Sequence, residues 1–320
     1  MNKRILGISG IDVSPIGLGC MGMTHAYGPA RDRNAMVELI QRAVELGCNF
    51  FDTAVVYGAE NEEFLGHAVK DIRDEVVIAT KFGIVGQSKN SNAPVNQLDS
   101  RPETIKQQLN ESLERLQTDY IDMYYQHRVD PNVDAETVAN LMADFIDEGI
   151  IKAWGLSNAP VEYLKKAHEI CPISAIENQY SMVFRQSENL FGLCEELNIA
   201  FVAYSPLGNG FLTGKYDNTN DYEDGDFRKT MKRFSKESVD NNKELLDLIS
   251  SIAQDKQCTN AQIVLAWELA QKPFIIPIPG STKMHRLEEN LKSWNIELSK
   301  QELSEINEKL SKLEIDESFF

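Results

Sequence analysis

The chain predicts an α/β protein folded as a (β/α)8 TIM barrel, on three observations. Eight short apolar runs, rich in β-branched and aromatic residues, alternate with stretches of helical periodicity. The length, 320 residues, suits one barrel spanning 1–320 as a single domain. An open doubly wound sheet would announce itself by a glycine-rich loop running from its first strand into a helix. Gly17-Leu18-Gly19-Cys20-Met21-Gly22 has the glycine spacing, but no helix begins there.

The elements follow in order. Residues 4–13 hold two short apolar pieces around Ser9-Gly10, a hairpin that would plug the barrel bottom. Pro15–Cys20 is the first strand. Arg33–Leu46 is its helix, with Met36, Leu39, Ile40, Ala43 and Val44 on one face and a stop at Gly47. Strand two is Phe50–Thr53, followed by a helix from about 61 to 69. Strand three is Val76–Lys81, and its helix opens on Pro102 and runs to Leu116. Strand four is Tyr120–His127, with a helix over 135–148. Strand five is Ala153–Ser157, with a helix opening at Pro160. Strand six is Ser174–Gln179, followed by a helix over 187–197. Strands seven and eight are Ala200–Ser205 and Phe274–Ile278, and the last barrel helix starts near Lys283. Residues 208–239 are long, polar and rich in Gly, Asp and Asn, so they predict a lid or an unstructured loop on the rim side. Residues 300–313 form an extra C-terminal helix on the barrel exterior, through Leu303, Ile306, Leu310 and Leu313.

Composition narrows the function classes. Forty-nine acidic against 32 basic residues give a formal charge of −17, which disfavours nucleic acid and anionic membrane partners. No apolar run is long enough to span a membrane, and no signal peptide is evident, so the expected setting is the cytoplasm. The five cysteines have no metal-ligand or CxxC spacing and read as reduced thiols, with only Cys20 near a strand end. Five dispersed histidines, of which only His127 is read at the rim, give no metal site.

Three strand ends carry the chemistry. Asp52 ends strand two with Tyr57 five residues on, Lys81 ends strand three and His127 ends strand four. Neighbouring strands lie about 4.8 Å apart, so these four side chains would gather on one rim, where barrel active sites lie. A carboxylate, an ammonium, a phenol and an imidazole gathered there suit moving a proton onto a substrate oxygen, which needs a placed proton donor. A phenol, with its pKa of about 10, is a weak acid, and an adjacent ammonium would lower that value. Tyr57 is thus the expected acid, Lys81 its tuner, Asp52 the support for Lys81, and neutral His127 the group that orients the substrate oxygen.

The stretch Phe51-Asp52-Thr53-Ala54-Val55-Val56-Tyr57-Gly58, the Lys81 and His127 strand ends, Gly155-Leu156-Ser157-Asn158, and Ile278 through Asn290 with Arg286-Leu287-Glu288-Glu289-Asn290 resemble the aldo-keto reductase family. The resemblance runs in order over essentially the whole chain and implies the same four catalytic assignments. It also implies NADPH-dependent, reversible reduction of aldehydes or ketones, with a nicotinamide as the hydride source. Ser157, Asn158 and Gln179 offer hydroxyl and amide groups suited to a carboxamide, and Tyr204 a flat face for the ring; family members use the matching positions this way. Ser205-Pro206-Leu207 through Gly210 to Lys215 is similar to the family's pyrophosphate-covering loop. Gly280 and Ser281 allow close backbone approach at a helix N-terminus, and Lys283 with Arg286 adds positive charge there. A cation pair at that place suits a 2′-phosphate, which favours NADPH over NADH. Some branches carry lysine where Gly280 stands, and Lys283 is the substitute here. Glu289 and Asn290 match the family's adenine-contacting pair.

Loops 22–32, 83–101 and 208–238 would line the mouth, offering Met21, Met23, Tyr27, Phe82, Arg128 and Phe211. With the tail ending at Phe320, a fairly open site for varied small carbonyl substrates is expected, on a monomer. The alternative is a non-catalytic nucleotide-sensing subunit, since ion-channel β subunits resemble the same family.

Overall fold

The computed structural model describes residues 3–88, 95–216 and 219–318. Phe320 and parts of the 83–101 and 208–239 segments lie outside the described residues. Arg4–Ile5 (β1) and Asp12–Val13 (β2) pair antiparallel as the expected hairpin. Leu18–Gly19 (β3), Arg33–Glu45 (α1), Phe50–Asp52 (β4), Ala59–Val69 (α2) and Val77–Phe82 (β5) follow. A second hairpin, Ile84–Gln87 (β6) with Asn96–Leu98 (β7), precedes Pro102–Leu116 (α3), Ile121–Gln126 (β8), Ala135–Asp147 (α4) and Ile151–Ser157 (β9). Val161–Ile170 (α5), Ala175–Gln179 (β10), Phe191–Leu197 (α6) and Ala200–Tyr204 (β11) continue the alternation. Lys236–Asn241 (α7), Lys243–Asp255 (α8), Asn260–Gln271 (α9), Ile275–Pro277 (β12), Met284–Lys292 (α10) and Lys300–Lys312 (α11) complete the chain.

The eight parallel strands β3, β4, β5, β8, β9, β10, β11 and β12 are neighbours in that order. Backbone contacts then bring the last strand to the first: Gly17 N–H donates to Pro277 O over 2.9 Å, and Gly19 bridges Gly280 in parallel. This is the (β/α)8 barrel the sequence predicts. Strand alternation sorts the side chains. Phe50, Val77, Met123, Ala175, Val202 and Ile276 point inward, with Leu6 and Val13 of the hairpin beneath them. Phe51, Ile78, Tyr124, Trp154, Ile176 and Phe201 point outward into the layer under the helices. The next inward positions at the C-terminal ends are polar: Asp52, Lys81, Ser157 and Glu177, all buried.

Two parts of the chain differ from the sequence expectation. No element was read between 240 and 273, where α8 and α9 stand. Helix α8 buries Leu245, Ile249 and Ala253, four residues apart, a stripe that the sequence displays. Helix α9 is buried nearly all round, from Ala261 through Glu268, and so lacks a stripe; its signal is the capping box between Thr259 and Gln262. The 208–239 segment is likewise structured in its described part, with short helical turns at Gly208–Thr213, Phe227–Lys229 and Lys232–Phe234.

Gly155 on β9 fixes how closely the strands approach. A Cβ there would lie 2.2 Å from Ala175 O and 2.7 Å from the Tyr125 ring. Gly155→Ala is therefore expected to cost about 1–3 kcal/mol, the usual penalty of overpacking. A lower urea midpoint at unchanged slope would show it; an unchanged midpoint would refute the close-approach account.

Candidate active site

Lys81 is the centre of the rim cluster. The inward alternation of β5 places its ammonium among backbone and carboxyl oxygens, and its side chain is fully buried. Its Nζ donates to Asp52 Oδ1 on β4 and, over 2.9 Å, to Thr53 O. Glu177 Oε1, on β10 across the barrel, lies 3.4 Å away. Tyr57 hangs over this group from the turn Val55–Tyr57 after β4, with Lys81 Nζ 5.4 Å from its ring centroid. The His127 ring stands edge-on to Tyr57 at 5.9 Å. The four side chains expected to meet do meet.

The electrostatics differ from expectation at one point. Lys81 was expected to lower the Tyr57 pKa, yet burial raises it, Lys81 opposes that only in part, and Asp52 and Glu177 add to the rise. The main physical reason is burial, which penalises the phenolate more than Lys81 favours it; the two carboxyl groups facing that one ammonium add to the rise. Tyr57 is thus held as the neutral phenol. Burial pulls Lys81 down, but Asp52 and Glu177 more than offset it, so the ammonium stays charged. His127 is pushed well below its usual range by burial and then by Lys81 and Arg128, leaving a neutral imidazole.

A cavity of about 840 Å³ opens above Tyr57 and runs to the start of α10. Its floor includes Asp52, Tyr57, His127, Ser157 and Tyr204, and its far end Gly280, Ser281, Lys283, Arg286, Glu289 and Asn290. Ser205, Pro206, Leu207, Gly210 and Lys215 line the side between them. Of the sequence-named residues, Lys81, Asn158 and Gln179 do not line the cavity. Lys81 lies beneath it. Asn158 ties the floor together, donating from Nδ2 to Ser157 Oγ at 2.9 Å and accepting from the Tyr204 hydroxyl at 3.1 Å. Gln179 is buried with no partner for its Nε2 among the described residues. The β10 residue that reaches the cavity is Glu177, which the strand register sets level with Ser157.

Arg128 donates to His127 O and, at 3.1 Å, to Ser157 Oγ, so it braces the floor. Met23, Phe82 and Phe211 are not mouth residues. Each is buried in the outer core, Phe82 against Tyr124 at 4.8 Å and Phe211 against Phe234 at 6.0 Å. Met21, Tyr27 and Arg128 do line the cavity, as expected, and His25, Val56, Ile84 and Phe227 join them. His25, which was not read at the rim, stacks tilted near Tyr57 at 5.7 Å. Its short loop after β3 carries no strand signal that would have placed it.

The segment after residue 218 crosses the cleft and is fastened to the opposite loop. Arg228 pairs with Asp226 and lies over Tyr216 at 4.4 Å, Tyr222 at 4.9 Å and Tyr27 at 5.2 Å. Phe227 N–H donates to Ala26 O, and Arg31 pairs with Glu223 at 2.9 Å. At α10 no side chain among the described residues caps the N-terminus. The first-turn N–H groups, Lys283, Arg286 and nearby Lys215 make a cationic end in an acidic chain, and Gly280 packs on Gly19 where a Cβ would crowd its carbonyl at 3.1 Å. An elongated cleft with this end, an aromatic face at Tyr204 and a buried amide without a partner fits a phosphorylated dinucleotide.

Similar proteins agree with this architecture. The aldo/keto reductase family matches residues 15–311. A probable aldo-keto reductase 1 of Glycine max is 39% identical over 306 residues, covering 95% of this chain and 87% of that protein. The glycerol dehydrogenase of Gluconobacter oxydans superposes with a TM-score of 0.86 at 25% identity, covering 98% of this chain and 96% of its own. An aldo-keto reductase of Klebsiella pneumoniae, solved in complex with NADPH, superposes at 0.72 with 25% identity over 96% of this chain and 95% of its own. With a match that spans nearly every barrel element and a Tyr, Lys, Asp and His gathered on one rim, this chain belongs to the aldo/keto reductase family.

Proposed function

We propose that the protein reduces aldehydes and ketones to alcohols, reversibly, with NADPH as hydride source and Tyr57 as proton donor. The observation that carries this is the buried Tyr57–Lys81–Asp52–His127 cluster at the floor of an open cleft. The NADPH complex of the Klebsiella pneumoniae relative supports the cofactor. Ser157, which lines the cavity, would hold a carboxamide together with Asn158 and Gln179 once their amides, which lie behind the lining, turn toward it; Tyr204 would take the ring. Ser205 to Leu207, Gly210 and Lys215 would cover the pyrophosphate, and Glu289 and Asn290 would meet the adenine. Gly280, Ser281, Lys283 and Arg286 would take the 2′-phosphate.

Bound reduced nicotinamide supplies a hydride to the carbonyl carbon. Neutral His127 donates a hydrogen bond to the carbonyl oxygen and fixes its direction toward Tyr57. The alkoxide that develops is a far stronger base than a phenolate, so a phenol held protonated is a competent donor to it. Lys81 then stabilises the phenolate electrostatically until solvent returns the proton. The aromatic and apolar ring of Met21, His25, Val56, Ile84 and Phe227 leaves room for varied small carbonyl compounds. The cleft is assembled within one chain, consistent with a monomer, and the five free thiols with the cytoplasm.

NADPH oxidation with a generic aldehyde, run beside Tyr57→Phe, tests the whole assignment. The cofactor preference has its own test. Arg286→Ala is expected to raise the KM for NADPH roughly tenfold, the scale of one charge-assisted hydrogen bond, and to leave the KM for NADH nearly unchanged. Parallel changes for both cofactors would show that Arg286 does not read the 2′-phosphate.

A further inference from the structure

Glu177 is a buried acid that the proton-transfer scheme does not use. It stands on β10 one inward position above Ala175, level with Ser157 on β9 and Val202 on β11. Only 3% of it is exposed, yet it borders the cavity. The three ammonium hydrogens of Lys81 have three acceptors around them: Asp52 Oδ1, Thr53 O and, at 3.4 Å, Glu177 Oε1. The second oxygens are left over. Asp52 Oδ2 and Glu177 Oε2 are both sealed from solvent and receive no hydrogen bond from any donor group among the described residues. The two carboxyl groups lie within hydrogen-bonding reach of each other.

Fully ionised, this pocket would hold two negative charges against one positive charge in a water-excluded space. Burial of an uncompensated charge is costly, and two carboxylates sharing a site retain a proton. One proton between Asp52 Oδ2 and Glu177 Oε2 removes the excess charge and satisfies both orphaned oxygens. We propose that Glu177 is a positioning residue of the proton-donor cluster: it shares one proton with Asp52, keeps the pocket around Lys81 neutral, and switches carbonyl reduction off in alkaline solution when that proton leaves. This rests on the reductase activity proposed above and adds to it the group that sets its alkaline limit.

The charge balance gives the direction. With the shared proton in place, the phenolate formed as Tyr57 gives up its proton faces a neutral pocket. Without it, the phenolate forms beside a net negative charge, and proton donation becomes harder. Burial first and then the charge of Asp52 push the Glu177 carboxyl up to about 8, against the pull of Lys81. The other titratable groups facing the pocket are displaced away from that region. Tyr57, Tyr125, Tyr204, Cys20 and Lys81 are moved upward, and His127 is moved well down. Arg128 also faces this region and acts to lower Tyr57 and Tyr204, against the larger effect of burial. The Asp52–Glu177 pair is therefore the group that changes charge in mildly alkaline solution.

The test combines infrared difference spectroscopy on the cofactor-free protein with pH profiles of kcat/KM for NADPH-dependent reduction of a generic aldehyde. In the wild type, one protonated-carboxyl band is expected to disappear as pH rises through about 8. Glu177→Gln, whose amide donates permanently to Asp52, should lack that band. Glu268, sealed in α9 and also held protonated by burial, gives a band common to both proteins. The alkaline limb of the variant's profile should move up by about one pH unit or more; a merely structural role would lower the whole profile without moving the limb. Superimposable alkaline limbs, or no titrating carboxyl band in the wild type, would overturn the proposal. The wild-type titration decides by itself if Glu177→Gln folds poorly. An intact titrating band with no NADPH oxidation for any aldehyde would overturn the reductase activity and not the shared proton.

Discussion

Tyr57→Phe is expected to lower kcat for aldehyde reduction by about 10²–10⁴-fold, the usual contribution of a placed general acid, while NADPH affinity stays near that of the wild type. The variant keeps the ring, and with it the edge contact to His127 at 5.9 Å and the tilted contact to His25 at 5.7 Å. Only the hydroxyl is removed. Because that hydroxyl faces the cavity and is not part of the Lys81 hydrogen-bond set, little stability should be lost with it. Single-turnover hydride transfer followed by cofactor absorbance, with cofactor affinity measured by fluorescence quenching, separates the two effects. Turnover comparable to the wild type would reject Tyr57 as the acid. A loss confined to cofactor affinity would assign the residue to binding.

The barrel and the four rim residues were legible because both depend on local rules. Strands that end in Asp52, Lys81 and His127 must bring those residues to one rim if they are parallel and consecutive, whatever else the chain does. The cationic end at Lys283 and Arg286 was legible for a similar reason, as a local exception in a chain of net charge −17. Glu177 was not legible. Gln179 ends the same strand, but which of two inward residues reaches the cavity is decided by the pairing of β10 with β9, a tertiary fact. The shift of Tyr57 runs opposite to expectation chiefly because the phenol is buried, a tertiary fact, and secondarily because Asp52 and Glu177 both oppose the effect of Lys81. Met23, Phe82 and Phe211 failed in the opposite way. They lie next to rim positions in sequence, yet alternation or a tight turn directs them into the outer core.

Lys81→Met should have the largest effect on stability, about 3–5 kcal/mol, because it removes one partner of a fully buried ionic cluster and leaves the others. Asp52 and Glu177 would remain at 2% and 3% exposure with no cation between them. The loss should depend on pH, and its sign follows from the direction of the shifts. Both carboxyls are already raised by burial, and Lys81 is what pulls them down. Without it their folded-state values rise further above the unfolded ones, so the native state holds protons that the unfolded chain has released. Such groups contribute stability that is intact below the unfolded carboxylate range and is lost as pH rises through the folded values. The variant should thus come nearest to the wild type in acid and fall furthest behind above about pH 8. Urea unfolding at several pH values measures this, and a deficit that is constant with pH would mean that the cost is lost packing and not stranded charge. Adding Glu177→Gln to Lys81→Met should recover part of the alkaline deficit, because one of the two stranded charges then no longer exists; strict additivity of the two substitutions would show that Lys81 and Glu177 do not interact.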